Sequence, residues 1–162
     1  GLAGSCEDLA LLVARLDAVL YPVTEPVRYA TLFVGLLDPG TGRLEYVNAG
    51  HNPPCVVRTD GSVESLAPTG MPVALVGEGT WSTRVIDLAP GDLLALFTDG
   101  IPEAWDASEE EYGDERLLSL LCSLRGKGAA AVRDAVLADL GAFVGEAHAS
   151  DDVTLVLVRR CP

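Results

Sequence analysis

The stretch "GDLLALFTDG", residues 91–100, ends an apolar run on an acid. Leu93 to Phe97 read as a buried strand, with Asp99 and Gly100 at its exit. A second acidic pair, Asp151 and Asp152, stands at the entrance to another apolar run in "SDDVTLVLV". If the two strands are antiparallel neighbours, that exit and entrance meet at one end of a sheet, and two or three carboxylates converge there. Like charges held close repel and raise one another's pKa unless a cation neutralises them. A divalent ion with oxygen ligands is the economical solution, and Mg²⁺ needs only one or two carboxylates beside its waters. Gly100 permits a tight backbone turn beside such an ion. The same residues also read as plain turn chemistry, since Asp-Gly commonly follows a strand. Spacing alone leaves both readings open.

The elements that position these acids follow from periodicity. Residues 5–20, "SCEDLALLVARLDAVL", carry apolar side chains at helical spacing, with Ser5 and Asp8 resembling a capping box. "YPVTEP" ends that helix. From Tyr29 the pattern changes to strands. "YATLFVGLLD" and "RLEYVNAG" flank the turn "PGTG" as a first hairpin, and a second turns through Asp60-Gly61. A third pair is expected within "WSTRVIDLAPGDLLALFTD", turning at Pro90-Gly91. Residues 114–124 and 128–144 read as helices, and a terminal strand follows. A helix, several antiparallel strands, two helices and a strand predict a layered α+β domain rather than a βαβ nucleotide fold. Neither G-x-G-x-x-G nor a P-loop occurs.

At 162 residues the chain reads as one domain, residues 1–162, with 49% apolar residues and a net charge of −13. That charge argues against binding nucleic acid or an anionic membrane. Cys6, Cys55, Cys122 and Cys161 form no C-x-x-C pair, which disfavours a zinc knuckle and suits a reducing, cytoplasmic setting. The acids of "ASEEEYGDERLL" suit a helix N-terminus.

"ATLFVGLLDPGTGRLEYVNAGHNPP", "PTGMPVALV", "LAPGDLLALFTDGIPEAWD", "EYGDERL" and "SDDVTLVLV" occur in the order and spacing of one family. From about residue 5 onward the chain resembles a SpoIIE/RsbU-type member of the metal-dependent PPM serine/threonine phosphatases. The resemblance implies a β-sandwich flanked by helices, with a Mn²⁺ or Mg²⁺ pair at one end. It implies a metal-activated water attacking a phosphorylated protein, such as an anti-sigma-factor antagonist in a bacterial stress or sporulation switch. It maps metal ligands onto Asp99 and Asp151, with Asp152 the second choice beside Asp151, so that the expected metal site comprises Asp99, Gly100, Asp151 and Asp152. It gives "NAGHNPP", Asn48 to Pro54, a structural role as a shaped turn, with His51 satisfying local backbone groups. Glu103 is expected to orient the turn or a following helix.

The family's Gly-Gly-Asp and Asp-x-Ser-Gly-(His/Lys)-Gly motifs, which carry its other ligands, do not occur in residues 1–162. The expectation is therefore an N-terminally incomplete domain with weak affinity for a lone metal. Unpaired sheet edges would then favour dimerisation. A truncated or degenerate domain that docks a partner without catalysis is the second reading. A sugar- or nucleotide-processing enzyme built on paired acids is a third, although the carboxylates have no obvious hydrophobic partner to split their roles.

Overall fold

The computed structural model describes residues 8–25, 28–145 and 152–161. In chain order the elements are α1 (Leu9–Leu20), a 3₁₀ turn (Tyr21–Val23), β1 (Leu32–Leu37), β2 (Arg43–Ala49), β3 (Cys55–Val57), β4 (Val63–Ser65), β5 (Arg84–Asp87), β6 (Leu93–Phe97), α2 (Asp114–Ser123), α3 (Ala129–Val144) and β7 (Leu155–Arg159). The fold is α+β, as the order of elements predicts, and its strand pairs are antiparallel. Among the described residues, no helix is long and apolar enough to cross a membrane.

The chain divides into two compact units. The first comprises residues 1–53 and 66–87. Its sheet runs β1-β2-β5, with Leu44 facing Leu37 on one side and Ile86 on the other. Phe33 and Tyr46 stack with ring centroids 5.4 Å apart. Helix α1 packs Leu9 and Val13 against Val47, Ala49 and Val73. It begins one turn later than the sequence predicts. Asp8 is itself the N-cap, its Oδ1 accepting the Ala10 N–H at 3.0 Å. Ser5 lies outside the described residues.

The second unit comprises residues 54–65 and 88–162. Its sheet runs β4-β3-β6-β7. Inward residues of β3, β6 and β7, among them Cys55, Val57, Leu93, Ala95 and Leu157, form one apolar cluster with Leu117 and Leu121 of α2 and Val132 and Val136 of α3. Burial of these side chains is the main force holding the unit together. Asp114 and Glu115 occupy the first turn of α2, where acids offset the helix dipole.

Two of the three expected hairpins form, β1–β2 and β3–β4. The third does not. β5 pairs with β2, and β6 pairs with β3 and β7, so the Pro90-Gly91 turn joins strands of different sheets. The reason lies in Asp92, only 1% exposed. Its carboxylate accepts the Ala89 N–H at 2.8 Å, the Thr59 N–H at 3.3 Å and Arg58 Nη1 at 2.6 Å. These bonds commit residues 89–92 to the β3–β4 hairpin instead of folding them back onto β5.

Candidate functional site

Residue Phe97 of β6 faces Leu155 of β7, so the exit of one strand lies beside the entrance of the other. The ladder continues one step past both strands, with the Thr98 N–H donating to the Thr154 carbonyl at 3.1 Å. The Thr98 hydroxyl then donates to the Asp152 carbonyl at 2.9 Å and accepts the Thr154 N–H at 3.0 Å. Asp99, the next residue, is therefore carried to the same end of the sheet as Asp152. Both are exposed. Asp151 lies outside the described residues.

The loop after β6 winds into a tight turn. Ile101 N–H donates to the Thr98 carbonyl at 3.2 Å, and Glu103 N–H to the Asp99 carbonyl at 2.8 Å. The Gly100 N–H donates to Asp99 Oδ1 at 3.0 Å. Gly100 is buried and is not among the described glycines at positive φ. Its small size, rather than a left-handed backbone, suits the turn. Glu103 enters through its amide, which closes the turn.

This donor set can be tested against a hard divalent cation. Among the described residues, the exposed Asp99 carboxylate accepts one neutral amide, that of Gly100. Carboxylate and carbonyl oxygens are the ligand types that Mg²⁺ and Mn²⁺ prefer. The residues fit such an ion in kind. In number they are few, since no group of three or more His, Cys, Asp or Glu side chains gathers among the described residues.

The Asn48–Pro54 turn is held by its own hydrogen bonds. Asn48 is fully buried; its Nδ2 donates to the Leu66 carbonyl at 3.1 Å and its Oδ1 accepts the His51 N–H at 2.8 Å. Gly50 sits at φ +73, and a Cβ there would meet Pro72 at 2.6 Å. His51 Nδ1 lies 3.4 Å from Thr31 Oγ1, a local contact. Thr98 is the residue that sequence reasoning passed over. Its signal was a hydroxyl between a buried strand and the acid, at the point where backbone pairing runs out.

The chain matches the family model for stage II sporulation protein E (SpoIIE) over residues 1–161. It belongs to the SpoIIE family. It is 30% identical over 132 residues to Protein IcfG of Synechocystis sp., a match covering 82% of this chain and 21% of that protein. The chain thus spans about a fifth of the length of that curated relative. The SiaA-PP2C domain of Pseudomonas aeruginosa superposes with a TM-score of 0.81 at 20% identity, covering 94% of this chain and 61% of that one. The manganese-presoaked phosphatase domain of SpoIIE from Bacillus subtilis gives a TM-score of 0.69 at 22% identity, covering 98% and 68%. These likenesses establish the PPM phosphatase fold for this SpoIIE-family chain.

Proposed function

We propose that this SpoIIE-family domain is a metal-dependent phosphoprotein phosphatase, acting in the cytoplasm on a phosphoserine or phosphothreonine of a partner such as an anti-sigma-factor antagonist. The observation that supports it is the Thr98 splice, which holds Asp99 and Asp152 at one end of the β6–β7 ladder. Asp99 and Asp151 are the carboxylates that would hold Mn²⁺ or Mg²⁺, with Asp152 adjacent. Bound there, the ion supplies a water of lowered pKa and offsets the charge of the phosphoryl oxygens. The chain's part is to place its donors. Thr98 fixes where the β6 exit lies against the β7 entrance. The Gly100 amide holds one Asp99 oxygen and so sets the carboxylate's orientation. The Glu103 amide closes the loop after Asp99 by donating to the Asp99 carbonyl.

Hydrolysis of a phosphoserine peptide, measured with Mn²⁺ and after chelation, tests this reading. Activity should require the ion and fall about a hundredfold or more in Asp99→Asn. Activity unaffected by chelator, or retained in Asp99→Asn, would overturn it. The sparse donor set among the described residues favours a second reading, a phosphatase-like module that docks a partner without catalysis. Calorimetric titration with Mn²⁺ separates the two, because a docking module predicts no saturable binding that Asp99→Asn abolishes.

A further inference from the structure

Helix α1 buries Leu9, Val13 and Asp17, three residues at i, i+4 and i+8 on one face. Two are apolar, and the third is a carboxylate only 3% exposed. A buried carboxylate needs a donor. Asp17 Oδ1 finds it 57 residues away, accepting the N–H of Ala74 at 2.8 Å. Ala74 has φ +63, a left-handed conformation that an L-residue with a Cβ rarely adopts. Such a residue persists only where its surroundings over-determine it.

The surroundings here are specific. Val73 is clamped to Ala30 by reciprocal backbone bonds of 2.9 and 2.8 Å. Met71 accepts the Trp81 indole N–H on its carbonyl at 2.8 Å. Thr69 exchanges bonds with Asn48, donating its N–H to the Asn48 carbonyl at 2.8 Å and accepting the Asn48 N–H on Oγ1 at 3.1 Å. Every one of these anchors precedes or follows Ala74. The Ala74 amide itself is held by Asp17.

We infer that Asp17 and Ala74 form a latch, in which the α1 carboxylate holds the loop of residues 69–81 in a strained turn that relaxes when the carboxylate no longer accepts the Ala74 amide. The strain makes the turn bistable. With the acceptor present, the left-handed state is kept; without it, Ala74 returns to negative φ and carries Met71 and the Trp81 indole with it. Because the loop starts at Thr69, the release reaches the Asn48 turn. The latch thus couples the seating of α1 to that turn, and it stands independently of any phosphatase activity.

The chain has two tryptophans, so a Trp105→Phe background leaves Trp81 as the sole emitter. In that background Asp17→Leu suits the apolar stripe of α1 and should fold. Its Trp81 emission should shift to the red, and acrylamide quenching should rise about twofold. Adding Ala74→Gly, which accepts positive φ without strain, should return both towards the background values. Unchanged Trp81 emission in Asp17→Leu, or a shift that Ala74→Gly leaves in place, would overturn the latch. Should Asp17→Leu fail to fold, Asp17→Ala, which also lacks the acceptor oxygen, provides the same decision through hydrogen exchange. The Ala74 amide should exchange about tenfold faster in that variant, and an unchanged rate counts against the latch.

Discussion

The hydroxyl of Thr98 bonds the backbone of Asp152, 54 residues away in sequence, at 2.9 Å. One side chain thereby extends the β6–β7 pairing beyond the point where the two strands end. Replacing it with the isosteric Val removes two hydrogen bonds without changing the packed volume. Thr98→Val should cost about 1–2 kcal/mol, lowering the melting temperature by about 2–8 °C. Thr98→Ser should keep most of that stability. A melting curve unmoved by Thr98→Val would show that the splice contributes nothing.

Asp92 carries more weight. It is almost wholly buried, and its removal leaves the Thr59 and Ala89 amides without their acceptor and takes one of two carboxylate partners from Arg58, which keeps Glu64. Asp92→Ala should cost on the order of 3 kcal/mol, because buried donors lose their acceptor and a cavity is left. Arg133–Asp134 lies on the surface, and Asp134→Ala should cost under about 0.5 kcal/mol. Urea denaturation of both variants measures the contrast, and equal midpoints would refute it.

The Tyr112 hydroxyl donates to Asp139 Oδ2 at 2.8 Å, and Arg116 Nε donates to the same oxygen at 2.9 Å. Burial, then the Asp139 bond and charge, pushes the Tyr112 phenol up to about 12. The neutral phenol is the form the fold prefers. Its stabilisation is complete below the usual tyrosine value of about 10 and is lost as pH climbs from there towards the raised value. Arg116, and after it Tyr112, holds the Asp139 carboxyl below the ordinary aspartate range. That contribution is present above about pH 4 and is lost on further acidification. Ultraviolet titration should show a late component that vanishes in Tyr112→Phe. Asp139→Asn should flatten the acid limb of the stability curve, though modestly, because the group is a third exposed.

Burial, reinforced by Cys122 and Asp114, pushes the Cys55 thiol up to about 12. The thiolate is the reactive form, so Cys55 should resist thiol reagents while the chain is folded. Among the described cysteines, timed labelling with a disulfide reagent and peptide mapping should find exposed Cys161 first, half-buried Cys122 more slowly and Cys55 only on unfolding. Cys55 labelling at the Cys161 rate would contradict the packing described.

Local signals in the chain located most of the elements. Helices α2 and α3 form within a residue of where apolar spacing predicts them, because both the periodicity and the flanking glycines are local. The "PGTG" and Asp60-Gly61 turns join neighbouring strands for the same reason. The partner of β5 was not legible, since it depends on Asp92 engaging Arg58 34 residues away. Helix α1 shows the same limit. Its apolar pattern includes Leu16, Val19 and Leu20, all exposed, while Asp17 is buried because Ala74 lies against it. At the candidate site, Asp99 and Asp152 stood out by charge, but their meeting depended on β6 pairing with β7, a long-range choice.

That pairing is fastened at its far end as well. Gly91 N–H donates to the Arg160 carbonyl at 2.7 Å, Arg160 N–H to the Asp92 carbonyl at 3.1 Å, and Arg159 Nη1 to the Gly91 carbonyl at 2.6 Å. A ribbon stitched at both tips frays from neither, so its amides should be among the last in the unit to exchange with solvent. The acids at its rim then sit on a frame whose spacing is settled before anything binds, and little ordering entropy remains to be lost when something does.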